Sequence, residues 1–321
     1  MRHFLQSNRR ELIAFLILAI ALVAYLATHP RGPSTYVMTI WANQCLILAL
    51  AAIAQFFVVL VRGIDLSVGA MMALTNTIAS YMLAGTGLDL VFSTLVVLAA
   101  GTACGMINGL IVVYGRIQPI IVTLATASIY VGIALLLRPT PGGNINYDLA
   151  DFMTLDLVGV PTAMVILAVI IFVFWLPLRR SGLGLSMYAL GSSETAAFQS
   201  GIPVKTVRVA AFAMGGFFAA LAGTYFSYVT TTGDAGISAN FTLNSIAAVV
   251  LGGVALSGGV GSLIGAVIGA FILETIAFLM FFSPLPALAQ PFVEGAVLAG
   301  AIAIGSLAVL RQKNRLEVFK R

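Results

Sequence analysis

Residues 53–74 read IAQFFVVLVRGIDLSVGAMMAL: an apolar run, an interruption at Arg62-Gly63-Ile64-Asp65, and a second run rich in small residues. Neither run has a polar face, and a helix that is apolar all round is buried in a large core or a membrane. An arginine, a glycine and an aspartate between two such runs end one helix and start another. Asp65 precedes Leu66-Ser67-Val68-Gly69, where its carboxylate can accept from the free N–H groups at the start of the next helix. Arg62, three residues earlier, is the expected ion-pair partner of Asp65.

A second stretch repeats this order. Residues 246–271, IAAVVLGGVALSGGVGSLIGAVIGAF, run from apolar residues through Gly252-Gly253 and Ser257-Gly258-Gly259-Val260-Gly261 into another small-residue helix. Broken backbone at membrane depth is tolerated only where protein or water satisfies the freed groups. Paired breaks in two halves of a chain point to an internally duplicated transporter, with the halves near 37–137 and 209–310.

Composition agrees with a membrane setting. Sixty per cent of the 321 residues are hydrophobic and only 8% are charged, against about 25% charged in soluble domains. Runs of the roughly 20 apolar residues that a membrane helix needs recur along the whole chain. Ten are predicted, near 12–28, 37–61, 66–84, 90–113, 119–137, 159–177, 209–230, 242–257, 262–282 and 289–310. The fold class is therefore an all-α polytopic membrane protein with broken helices, forming one transmembrane domain over 1–321. No A-x-A-like cleavage site follows the first run, so it reads as an uncleaved helix. With the N-terminus inside, Arg2, Arg9, Arg10, Arg62, Arg116, Arg179, Arg180, Lys205, Arg208 and the basic tail from Arg311 to Arg321 are cytoplasmic. Only Arg31 and Arg138 are left outside. That asymmetry places both termini in the cytoplasm.

Gly101, Gly105 and Gly109, and again Gly261, Gly265 and Gly269, recur every four positions, which lets helices approach closely. Tight internal packing and a dimer face both fit this spacing. Glu274 and Glu294 lie within the ninth and tenth helices. A carboxylate there costs several kcal/mol unless it is neutral, paired or near water. A proton relay and a hydrogen-bonded carboxyl between helices are the two readings. Asn43, Gln44, Gln55, Asn76, Asn108 and Asn244, with Asp65 and Ser67, can line a path for a hydroxylated solute or bond between helices.

No catalytic motif is present. Cys45, Cys104, His3 and His29 have neither disulfide nor metal spacing. The net charge of +5 follows the membrane asymmetry and does not mark a nucleic-acid partner. No cofactor is expected. The chain lacks G-x-x-x-x-G-K-[ST], so any use of ATP requires another protein.

The most polar interior segment, residues 179–208, RRSGLGLSMYALGSSETAAFQSGIPVKTVR, lies in a cytoplasmic loop. Ser192 or Ser193 can cap a short helix there, with Glu194 in its first turn favoured by the helix dipole. Gly201 ends it and Pro203 keeps it ended. Two turns are marginal in water. Ala196, Ala197 and Phe198 form an apolar knob, which suits docking on a partner and packing against the bundle equally.

Four segments carry a family resemblance: Gly63-Ile64-Asp65-Leu66-Ser67-Val68-Gly69, Pro119-Ile120-Ile121-Val122-Thr123-Leu124, Tyr188 through Gly191 to Ile202, and Ser245-Ile246-Ala247-Ala248-Val249-Val250-Leu251-Gly252-Gly253. In this order and spacing the chain resembles the permease subunit of ribose-type ABC sugar importers over nearly its whole length. The resemblance implies a bacterial cytoplasmic-membrane subunit for a pentose, hexose or polyol. Its implied partners are a cytoplasmic ATPase, a solute-binding protein outside and a second permease, identical or paralogous. It also makes the loop helix a coupling helix, with Ser193, Glu194, Ala196, Ala197, Phe198, Ser200 and Gly201 facing the ATPase. Related permeases carry branched-chain amino acids or nucleosides, and an ion-coupled carrier using Glu274 or Glu294 is the rival class. The chain departs from the family pattern at Asn244, Val260 and Glu294.

Overall fold

The structure, a computed structural model, describes residues 9–282 together with 292, 293, 295, 296, 299 and 300. Glu294, the tail 311–321 and most of the predicted tenth helix lie outside the described residues. The helices are α1 (Arg9–Thr28), α2 (Thr35–Leu60), α3 (Val68–Met82), α4 (Leu88–Gly115), α5 (Pro119–Leu137) and α6 (Tyr147–Thr154). They continue with α7 (Thr162–Arg180), whose centre Ile170–Trp175 is π-helical, α8 (Gly182–Ser192) and α9 (Glu194–Gln199). Last come α10 (Val204–Thr230), α11 (Ser238–Leu251) and α12 (Leu263–Phe281). Among the described residues, six of these helices (α2, α4, α5, α7, α10 and α12) are long and apolar enough to cross a membrane.

The centre of the bundle is α2. It is apolar all round and is buried almost from end to end, against α10, α12, α11 and α7. Helices α4, α5 and α7 lie outside it and expose Ile107, Leu110, Ile121, Leu124, Phe172 and Val173. These are the side chains that a lipid environment accepts.

The glycine stripes are internal. Gly105 of α4 lies so close to α10 that a Cβ would run into the Phe212 carbonyl, and one at Gly101 into Gly216. Gly269 of α12 lies against the Ala248 carbonyl of α11 in the same way. Gly261 precedes α12, at φ 123°, so it does not share that face.

Several predicted boundaries move, among them the starts of the helices expected at 209 and 242, which lie at Val204 and Ser238. The helix expected at 159–177 begins at Thr162, because Asp156-Leu157 (β1) pairs antiparallel with Val160-Pro161 (β2). Val158 and Gly159, at φ 53° and 82°, make the two-residue turn that matches strand twist. The helix expected at 242–257 ends at Leu251, since Gly253 at φ 81° leaves the helical region. Both helix breaks, 61–67 and 252–262, lie at one end of the bundle. The Gly259 amide donates to the Leu60 carbonyl at 3.0 Å.

Candidate functional site

The polar segment 179–208 is mostly helical. Ser181 Oγ accepts from the Gly184 amide (3.2 Å) and so caps α8. Of the two serines that can cap α9, Ser193 does so, accepting from Ala196 N at 3.3 Å. At the other end, Gly201 stands at φ 79°. Its amide donates to Phe198 O (3.0 Å) and that of Ile202 to Ala197 O (3.1 Å), closing the last carbonyls.

The apolar knob divides. Ala197 is buried against the bundle, while Phe198 is 72% exposed, and Ala196 and Ser200 face outward with it. Glu194 accepts from Arg208 at 2.8 Å, so the start of α9 is tied to α10. Between α9 and the α4–α5 turn lies a groove of about 970 Å³, lined by Tyr114, Arg116, Glu194, Phe198, Lys205 and Arg208 among others.

The buried polar residues form a second region. Asp65 is fully buried, and its Oδ1 accepts from both Ser67 N (2.7 Å) and Ser67 Oγ (2.6 Å). Ser67 Oγ in turn accepts from Asn108 Nδ2 (2.8 Å), and Asn108 Oδ1 accepts from Tyr130 Oη (3.1 Å). From Asn108 to the carboxylate the bonds run in one direction and each polarises the next, while the Tyr130 hydroxyl also reaches Cys104 O at 2.9 Å. Gln55, with its amide oriented to satisfy both groups, bonds the Asp65 carbonyl and amide at 2.9 and 3.2 Å. Thr123 Oγ1 accepts from Leu66 N (3.0 Å). Arg62 does not pair with Asp65, contrary to expectation. Its Nε and Nη2 donate to Gly191 O and Ser192 O, each at 2.7 Å. Asp65 Oδ1 is held from within its own turn and Oδ2 is buried without a partner among the described residues, while the end of α8 presents unpaired carbonyls to a cation.

The asparagines differ among themselves. Asn43 donates to Thr154 O (2.8 Å) and accepts from Tyr225 Oη (2.9 Å). Asn76 donates to Ser227 Oγ (2.7 Å) and Thr232 O (3.0 Å) and accepts from Asp234 N (2.6 Å). Both residues, like Asn108, direct their polar groups to neighbouring segments. Asn244 is half-buried on α11 and makes no side-chain hydrogen bond to a described residue. Glu274 is half-buried beside a cavity of about 680 Å³ that Tyr25, His29, Gln44 and Phe278 also line.

Known proteins share this arrangement of sequence. The family described as branched-chain amino acid transport system / permease component matches residues 37–305. The chain belongs to that permease family. The permease is 37% identical over 271 residues to the ribose import permease protein of Haemophilus influenzae, covering 83% of each chain. It is 29% identical over 318 residues to the autoinducer 2 import system permease protein of Escherichia coli O9:H4, covering 97% of this chain and 96% of that one. The Shigella flexneri protein of the same description matches equally well, at 29% over 318 residues. No solved structure matches. Family membership and six membrane-length apolar helices make it a multi-pass membrane permease.

Sequence reasoning found the permease's Asp65, Ser67 and Asn108 but not Thr123 or Tyr130, which complete the cluster from α5. They sit about two helical turns apart in an apolar run, and only their polar groups within that run mark them. The carbonyl partners of Arg62 left no side-chain signature at all.

Proposed function

We propose that this permease is the membrane-spanning subunit of an ATP-binding cassette importer for a monosaccharide or related polyol. The ribose and autoinducer 2 import relatives support the solute class. The absence of a phosphate-binding loop motif from the sequence means that ATP is hydrolysed by a partner. A solute-binding protein delivers the cargo from outside, and a second permease, identical or paralogous, completes the path. The charge asymmetry supports a cytoplasmic-membrane location with both termini inside and ten spanning helices in two related halves.

One observation carries the coupling assignment. A two-turn helix, fastened by its caps and by the Glu194–Arg208 pair, holds Phe198 out at 72% exposure. A large apolar side chain so placed on a short, anchored helix suits insertion into a groove of the ATPase. Ser193 and Gly201 hold the helix in shape, and Ala196, Ser200 and Glu194 flank the contact. The ATPase subunits then shift the equilibrium between outward- and inward-open states by contacting them differently.

Phe198→Asp should reduce solute uptake by about a hundredfold, as expected when a central apolar anchor is lost, while the protein accumulates in the membrane at its usual level. Uptake into proteoliposomes holding the ATPase and binding protein measures this. Normal uptake with normal stimulation of ATP hydrolysis would rule out α9 as the docking element.

A further inference from the structure

Three segments far apart in sequence meet at the end of the bundle that carries α9. They are the end of α2 (Leu60–Arg62), the end of α8 (Gly191–Ser192) and the second break (Gly258–Gly259). The Gly259 amide donates to Leu60 O at 3.0 Å. Arg62 donates to Gly191 O and Ser192 O, both at 2.7 Å. The approach is backbone to backbone: a Cβ at Gly191 would run into the Leu60 carbonyl, and one at Gly259 into the Ser192 amide. A Cβ at Gly258 would reach the Arg62 side chain at 2.6 Å.

Arg62 itself stands at φ 66°. Its amide donates to Val59 O (3.0 Å) and that of Gly63 to Val58 O (2.9 Å), so it occupies the left-handed residue of a helix-ending turn. Glycine is the usual residue there, and a side chain is disfavoured. An arginine kept in a position that the backbone disfavours points to a task for its side chain. That task is visible: a planar guanidinium grips two successive carbonyls at the negative end of α8, one residue before α9 begins.

We propose that Arg62 is the positioning residue that ties the α8–α9 loop to both helix breaks, so that a displacement of α9 reaches the ends of α2 and α12 together. Among the described residues the loop has no other charged grip on the first break, whereas the second break meets α8 and the loop through glycine backbone and through the Tyr188 hydroxyl, which donates to Gly261 O at 2.9 Å. Without the Arg62 fork, α9 could move while the end of α2 stays in place. This role rests on the reading of α9 as the element on which the ATPase acts.

The test separates the two ideas. Arg62→Gly suits the left-handed turn and removes only the side chain, so its effects cannot be assigned to backbone strain. In hydrogen exchange of the purified permease, peptides covering 189–199 and 255–261 should both exchange about tenfold faster, while peptides from α4 keep their protection. Arg62→Lys, which retains one donor and the charge, should fall between. If Arg62→Gly does not accumulate, Arg62→Gln serves in its place. Wild-type exchange, or loosening of only one of the two segments, would overturn the joint. In the assembled importer, the same variant should raise the ATP hydrolysed per solute delivered. A changed exchange pattern with an unchanged ratio would overturn the coupling role, whereas the exchange result stands whether or not an ATPase acts on α9.

Discussion

The two breaks in the bundle solve one problem by different means. Each must end an apolar helix and satisfy the backbone groups set free. The first, after α2, is stitched by side chains from three helices, Gln55, Asn108 and Thr123, together with Asp65 and Ser67 of the break itself. The second, after α11, closes mostly on its own backbone, with outside bonds from Gly259 N to Leu60 O (3.0 Å) and from Tyr188 Oη to Gly261 O (2.9 Å). Val254 N donates to Val249 O (3.1 Å), Ala255 N to Val260 O (3.0 Å) and Gly258 N to Ala255 O (2.9 Å). Gly253, Gly258, Gly259 and Gly261 supply the positive φ angles this path needs. A break held by many side chains tolerates little rearrangement, because every displaced partner leaves a buried group unpaired. A break held by local backbone bonds and glycines changes shape more easily. The first is thus held mainly by side chains and the second mainly by backbone.

The largest effect expected is that of Asp65→Ala. It strips the acceptor from a buried amide and a buried hydroxyl at once, at a cost of about 3 kcal/mol. The unfolding midpoint in detergent should fall sharply, with reduced yield. An unchanged midpoint would show that side chains do not hold the first break. Gly253→Ala should be milder, about 1–2 kcal/mol, because only the left-handed backbone is penalised. A wild-type midpoint there would remove the conformational demand from the second break. Tyr130→Phe is the smallest, about 1 kcal/mol, since it deletes the outermost donor of the chain of bonds to Asp65. A loss as large as that of Asp65→Ala would mean that the cluster fails as one unit. Phe198→Asp, by contrast, should leave all three stability measures where they are and act on uptake alone.

The fold was largely legible in the sequence wherever hydrophobic runs had punctuation. Pro119 and Arg138 bracket a run that is helical over Pro119–Leu137, as expected. Ser193, Glu194 and Gly201 bracket α9. Reading failed at 252–257, where apolar Val254 and Leu256 hide a glycine-built turn, and at the start of α7, where a two-residue hairpin looks like the edge of a helix. In both, the deciding variable is a backbone angle, to which hydropathy is blind.

What the amino-acid order determined alone was local: which runs are apolar enough to leave water, where each is capped, and that a short capped helix follows Ser193. Which buried polar residues find one another was decided only by the tertiary structure. Arg62 could bond a carboxylate three residues away or two carbonyls some 130 positions on, and the sequence favours the near partner. In the folded bundle Ser67 bonds Asp65 Oδ1 while Oδ2 is buried without a partner among the described residues, and Arg62 instead goes to the carbonyls at the end of α8. Which partner a hydrogen-bonding group takes depends on every donor and acceptor that the fold brings within reach, and that sum runs over the whole molecule.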